Sequence, residues 1–345
     1  MAVPSSGAIS IQDLVDEFGG STPHSISEYY RAGPLVPNVP TNSSIPESGT
    51  VTFSDYYGAV NASFVSATGG SIATSGDYKV HTFTSAATFT VNDAGNSAGS
   101  NSIEYLTVGG AGGSAQGGGG GGGGYRTNYP SPATGGLSVS ATGYPIAVGA
   151  AGAPGDPSGF GAGANGGVST VSSITSAGGG GGGTFESPRT GSAGASGGGG
   201  SKNGGGGAGN TPPTSPPQGN AGGDSYPGST DSGGGGGGAS AVGGNGAEVL
   251  AGVGGAGSAN SITGSPVTYA GGGGGSMQAG VPASSGNGGA GGGGNGAKAP
   301  PQGSPRTASA GTNGLGGGGG AGVPTSGYGP AASGSGVVII RYKFQ

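Results

Sequence analysis

The sequence predicts a mostly β and irregular fold. Its parts are a small β-sandwich closed by the C-terminal strand, an inserted polyglycine-II helix bundle, and a short N-terminal module of capped helices. Three observations carry this prediction. Glycine is segregated, with 13 of the 96 in residues 1–110 and the other 83 in residues 111–336. Apolar, alternating segments flank that glycine-rich stretch on both sides. A helix-capping pattern recurs three times in the first sixty residues. The organisation that follows is residues 1–60 as the N-terminal module, 61–110 with 336–345 as the β domain, and 111–335 as the glycine body.

In the N-terminal module, Ser10-Ile-Gln-Asp13, Ser25-Ile-Ser-Glu28 and Thr52-Phe-Ser-Asp55 each place a hydroxyl three residues before a carboxylate. That is a capping box: the hydroxyl accepts from the third helical N–H, and the carboxylate answers the N–H of the cap. The acid also sits at the positive end of the helix dipole. Gly19-Gly20, Gly33-Pro34 and Gly58 end the units, so short helical turns are expected. The aromatics Tyr29, Tyr30, Tyr56 and Tyr57 follow the boxes as candidates for docking onto a larger assembly. Packing of the turns on one another is the simpler role for them.

Tyr78–Phe83, Thr88–Val91 and Ile103–Val108 are β-branched and aromatic runs separated by turn residues, and they read as strands. At the far end of the chain Val338, Ile340, Tyr342 and Phe344 share one face of an alternating run, with Arg341 and Lys343 on the other. A lone strand this apolar needs a sheet, and residues 62–108 supply the β-rich partner. The C-terminal strand is therefore expected to return there, making the glycine body an insertion whose ends meet.

Gly/Ser-rich chains are by default flexible coils, because each glycine loses roughly 0.5–1 kcal/mol more than alanine on ordering. Extended glycine helices packed side by side avoid that outcome by pairing their N–H and C=O groups with neighbours. Runs at 117–124, 178–183, 197–200, 204–207, 233–238, 271–275, 291–294 and 316–320 have comparable lengths. Shorter strand-like pieces, Leu137–Val139, Val168–Val171 and Pro266–Tyr269, are expected along the bundle's edges. Between the runs lie interruptions at 125–133, 184–190, 211–218, 224–232, 276–285 and 297–310, rich in Pro, Ser, Asn and single aromatics, as turns and exposed tips are.

Chemistry finds few footholds. The chain has no cysteine and two histidines, His24 and His81, so no thiolate chemistry is available and a zinc site is not expected. Gly-x-Ser-x-Gly matches at Gly95–Gly99 and Gly194–Gly198 do not follow a strand and open a helix. No Gly-Lys-[Ser/Thr] occurs, so no phosphate loop is expected. Nine basic residues against fourteen acidic ones leave no electrostatic footprint for nucleic acid. No run approaches a membrane span, and the first residues predict no secretory leader. The expectation is a protein without enzymatic activity, cofactor or metal, acting by surface recognition. Tyr125, Arg126, Tyr129, Phe185, Arg189, Tyr226, Met277, Arg306 and Tyr328 are the candidate receptor-binding residues, since Tyr and Arg dominate interface hot spots. Lys202 and Lys298 accompany them. Capping the bundle ends is the alternative role. A flat glycine array also suits ice binding, against which the irregular interruptions argue.

Lys79-Val-His-Thr-Phe-Thr-Ser-Ala-Ala-Thr-Phe-Thr-Val91, Ile103-Glu-Tyr-Leu-Thr-Val-Gly-Gly110, the glycine runs and Gly334-Ser-Gly-Val-Val-Ile-Ile-Arg-Tyr342 together resemble glycine-rich tail-fibre and virion proteins of tailed bacteriophages. The Tyr-Tyr repeats at 25–30 and 52–57 likewise resemble N-terminal modules of phage structural proteins. The resemblance implies a polyglycine-II bundle whose terminal loops bind a host surface protein or glycan, in a virion assembled in the host cytoplasm. It implies other virion proteins as partners of the N-terminal module. Its N-terminal repeats and lack of a trimeric coiled coil set this chain apart from the tip adhesins. Fibre tip, whole fibre and structural decoration remain open, as does the oligomeric state, a homo-oligomer included.

Overall fold

The computed structural model describes residues 3–130, 136–156, 161–228, 231–277, 284–298, 306–323 and 328–345. All three capping boxes form. Helix α1 (Ile11–Phe18) follows Ser10, whose N–H donates to Asp13 at 2.7 Å while its hydroxyl accepts from the Asp13 N–H at 3.3 Å. Single 3₁₀ turns, Ile26–Tyr29 and Phe53–Tyr56, follow the other two boxes. There Glu28 and Asp55 accept from the N–H groups of Ser25 and Thr52 at 3.1 and 2.7 Å. The turns pack on each other through Leu14, Phe18, Tyr29, Val36, Ile45 and Tyr56. The Tyr56 hydroxyl donates to the Tyr29 carbonyl at 3.0 Å, and burial raises its phenol pKa.

The strands are β1 (Val65–Thr68), β2 (Ser71–Ser75), β3 (Tyr78–Phe83), β4 (Ala87–Ala94), β5 (Ser102–Val108), β6 (Tyr125–Thr127), β7 (Leu137–Ser138), β8 (Gly143–Ala147), β9 (Ser169–Val171), β10 (Ile174–Ser176), β11 (Ser258–Asn260), β12 (Val267–Tyr269) and β13 (Val337–Lys343). They form a five-stranded sheet β1-β4-β8-β9-β10, a six-stranded sheet in which β7 also pairs with β5 of the row β2-β3-β13-β5-β6, and the separate pair β11-β12. The C-terminal strand lies between β3 and β5, with Ile340 opposite both His81 and Tyr105. Val338, Ile340 and Tyr342 point between the two large sheets and meet Phe83, Phe89, Val91 and Ile146.

The opposite face of β13 is not simply polar. Val337 and Ile339 are buried with Leu106, Val108, Ile262 and Tyr269, beneath the β11-β12 pair. Arg341, near the strand's end, approaches Glu104 at 3.5 Å and lies over the Tyr78 ring at 3.7 Å. The five-stranded sheet is completed by β8, β9 and β10, which belong in sequence to the glycine body. The strand-like pieces at 137–139 and 168–171 thus join the sandwich rather than the bundle's edges, because β4 and β5 still need partners.

Beyond the sandwich the glycine runs cross back and forth as extended helices. Residues 117–124 occupy the centre. Gly117, Gly120 and Gly123 donate to Gly322, Gly319 and Gly316, while Gly118, Gly121 and Gly124 donate to Gly183, Gly180 and Ala177. Gly119 and Gly122 donate to Gly234 and Gly237, and the N···O distances in these three series run from 2.8 to 3.2 Å. The central carbonyls accept from Gly109, Gly112 and Ala115, from Gly273 and Ser276, and from Gly199. A partner that recurs every third residue is the mark of a helix with three residues per turn. Six neighbouring segments therefore surround one chain, three receiving its N–H groups and three supplying theirs. A Cβ built on Gly120 would overlap the Gly112 carbonyl, and one on Gly236 would overlap that of Gly120. Only glycine fits there. A net gain of about 0.5–1.5 kcal/mol per hydrogen bond is of the size needed to offset the extra ordering entropy of each glycine.

Candidate functional site

The bundle has two ends, and the sequence interruptions divide between them. Residues 109–115 leave β5, turn at Gln116, and return as 118–124 into β6. The Gln116 turn thus marks the end remote from the sandwich. Ser201 donates to the Gln116 carbonyl at 3.0 Å, Gly117 donates to Gly322, and Ser276 donates to Gly117. Thr184, Ser201, Ser276 and Val323 accordingly sit at this far end, and the segments 184–190, 224–232, 276–285 and 297–310 open there. Of these, 229–230, 278–283 and 299–305 lie outside the described residues, as do 131–133 of the interruption that begins at Tyr125.

At the far end the candidate residues have different environments. The Lys202 ammonium stands 3.7 Å from the centre of the Phe185 ring. Arg189 is exposed and Tyr226 half-buried. Burial raises the pKa of the Asp231 carboxyl, against the opposing pull of Lys202 and Arg189, so these charges form one cluster. Val249 and Leu250, exposed apolar residues in the adjoining turn, complete the surface. Met277, by contrast, is buried. The Arg306 guanidinium is engaged inside the bundle, donating to the Gly296 carbonyl at 3.0 Å and to Ser285 at 2.6 Å. Burial draws its pKa below the usual value. Arg306 and Lys298 pair as a short antiparallel bridge, and Tyr328 packs half-buried on Val323 and Ala297.

Tyr125, Arg126 and Tyr129 lie at the opposite end, on or beside β6 at the edge of the six-stranded sheet. Residues 211–218 lie there too: Tyr125 N–H donates to the Gln218 carbonyl, and the Gln218 side chain accepts from Ala177 N–H, both at 2.9 Å. Of the N-terminal aromatics, Tyr29 and Tyr56 are fully buried, Tyr30 is half-buried, and Tyr57 is exposed.

Sequence reasoning named Phe185 and Lys202 separately but not their pairing, and it did not single out Asp231. The available signal was Lys202-Asn203, a polar dipeptide breaking a glycine run, where both residues take positive φ (42° and 65°). His81 is a structural residue. Its Nδ1 lies 2.7 Å from the Gly69 carbonyl and its Nε2 3.0 Å from the Tyr342 hydroxyl, so both ring nitrogens are engaged.

A chain whose interior is a lattice of glycine backbones, closed between β5 and β13, defines a glycine-rich domain. A family model described as a glycine-rich domain matches residues 82–343, and the chain belongs to that family. No curated protein matches the chain. Among the described residues no helix is long and apolar enough to cross a membrane.

Proposed function

We propose that this protein is a virion component of a tailed bacteriophage, a tail-fibre or receptor-binding protein that adsorbs to the host cell surface by binding rather than catalysis. The observation that carries the reading is the far end of the bundle. Turns from separate glycine helices gather there, and they present Arg189, the Lys202–Phe185 pair, Tyr226, Val249 and Leu250 around a scaffold that leaves its tips free to vary. Such loops on a rigid frame suit recognition. In this reading the N-terminal module docks onto other virion proteins, with Tyr57 and Tyr30 available at its surface.

The test is an exchange of turns. Replacing 184–190 and 224–232 with turns of unrelated sequence is expected to abolish adsorption to the native host while the chain stays folded. Replacing 211–218, at the sandwich end, is expected to leave adsorption unchanged. Adsorption that survives the first exchange would place the receptor site elsewhere. A second reading, a structural decoration or spacer, draws on the engagement of Met277 and Arg306 inside the bundle. It predicts that particles lacking the glycine body infect the native host normally.

A further inference from the structure

The rows of the two large sheets end at β1 and β10 and at β2 and β6. All of these edges except β2 are closed by another part of the chain. At β1 the Tyr342 hydroxyl takes both backbone groups of Ala67, accepting from its N–H at 3.2 Å and donating to its carbonyl at 3.4 Å. At β10 Arg126 donates to the Thr175 carbonyl at 3.3 Å. At β6 the Tyr125 N–H donates to the Gln218 carbonyl.

The backbone of β2 is left half-used. Its turn into β3, Gly76-Asp77, is two residues long with Gly76 at φ 57°, so Ser75 and Tyr78 are the closing hydrogen-bonded pair. Ser71, Ala73 and Ser75 therefore spend their backbone groups on β3, and those of Ile72 and Thr74 point outward. The outward groups bond no other protein group among the described residues. Both faces are open too, with Ser71, Ile72, Ala73 and Thr74 all exposed. Ile72 is 51% exposed, although its register partner His81 packs on Phe89 inside the sandwich. Beside Ile72 a groove of about 530 Å³ opens between β1 and β2, walled by Phe64, Ala67, Ile72, Tyr342 and Phe344. Lys79 also lines it and is already engaged, by the Thr74 hydroxyl at 2.9 Å and the Phe344 ring at 4.6 Å. Edge strands that avoid pairing carry Lys, Pro or a bulge. Ser71-Ile-Ala-Thr-Ser75 carries none of these.

We propose that β2 pairs with β2 of a second copy of this chain, antiparallel about a twofold axis through Ala73. A second copy fits because the strand complements itself. In this register Ile72 exchanges backbone hydrogen bonds with Thr74 of the partner subunit, a pair of β-branched residues that suits a sheet. Asp77, the acid of the turn, falls beside Gly69 of the partner subunit, so no like charges meet. Both Ile72 side chains and both grooves come to lie on one face of the joined sheet. The pairing concerns the sandwich, so it stands or falls independently of the adsorption reading. Sedimentation of the full chain at about 100 µM, a concentration suited to a small interface, is expected to show a dimer. Thr74→Pro deletes an N–H that bonds nothing within one chain, and an edge strand tolerates proline. It is expected to keep the thermal midpoint close to that of the native chain and to weaken dimerisation roughly tenfold or more. Should Thr74→Pro fail to fold, Ile72→Lys changes an exposed side chain and gives the same readout. The chain has no cysteine, so Ala73→Cys reports the register. Facing residues that share no hydrogen bonds bring their Cα atoms to about 4.5 Å, within disulfide reach. Ala73→Cys is expected to form a covalent dimer on mild oxidation, and Ser71→Cys far less of one. A monomer at about 100 µM overturns the proposal. So does a dimer that neither edge variant weakens, or cross-linking of Ser71→Cys as readily as of Ala73→Cys.

Discussion

Phe89 in the sandwich and Gly120 in the glycine body are both buried, but by different matter. Around Phe89 stand the rings of Phe83, His81, Tyr144 and Tyr342, with centroids 5.2 to 6.5 Å away. Around Gly120 stand the carbonyls and N–H groups of other glycine segments. The first interior excludes water by apolar area. The second satisfies its polar groups within a lattice and has almost no side chains to pack. The comparison teaches that a low content of large apolar residues limits the kind of core a chain builds, and leaves burial itself within reach.

The sharpest way to break the comparison is to put a side chain where the lattice has no room. Gly120→Val is expected to cost about 4 kcal/mol or more, since the neighbouring atoms are backbone and cannot rotate away. Loss of hydrogen-exchange protection in 109–124 would report it. Gly205→Ala, where a Cβ meets nothing closer than the Asp224 carboxylate at 3.6 Å, should stay within about 0.5 kcal/mol. Equal effects at the two glycines would mean that close approach does not govern the body.

The matching cut in the sandwich is Phe89→Ala, expected to cost about 3–5 kcal/mol through lost burial and a residual cavity. Chemical denaturation monitored by tyrosine fluorescence measures it. A smaller effect comes from His81, whose pKa burial lowers most, with Lys79 adding to that and the Gly69 carbonyl opposing it. A histidine with a depressed folded pKa binds its proton more readily when unfolded. Stability is therefore complete above the unfolded value near 6.5 and declines as pH falls below it. Thermal midpoints across that range should fall in the native chain and stay flatter in His81→Asn. The glycine lattice contributes no such titration.

Much of this architecture is legible in the residues, and what is not has identifiable causes. Tyr78–Phe83 reads as a strand because β-branched and aromatic residues alternate with polar ones, and β3 has the same bounds. β2 escapes because Ser71-Ile-Ala-Thr-Ser75 is almost wholly exposed at a sheet edge and has no buried face to impose a pattern. β8 escapes because Pro145 argues against a strand inside a sheet. The sheet tolerates it because β9 pairs with β8 only at Ile146 and Ala147, past the proline. At the candidate surfaces the residue types were legible but their ends of the bundle were not. Short turns such as Gln116 and Lys202-Asn203 reverse the chain without any long interruption, so counting interruptions cannot say which end a given one occupies. That is how 211–218 and 224–232, close in sequence, come to lie at opposite ends.

The meeting of the bundle's two stems has a mechanical consequence. Val108 and Val337 are register partners in adjacent strands, so the chain's first exit from the sandwich and its last return to it lie side by side. A pull on the far-end turns runs along the glycine helices, while the bonds between those helices lie across them. Such a load must shear many cross-links at once instead of opening them one after another. The same holds at the root, where β5 and β13 carry the force together as paired neighbours.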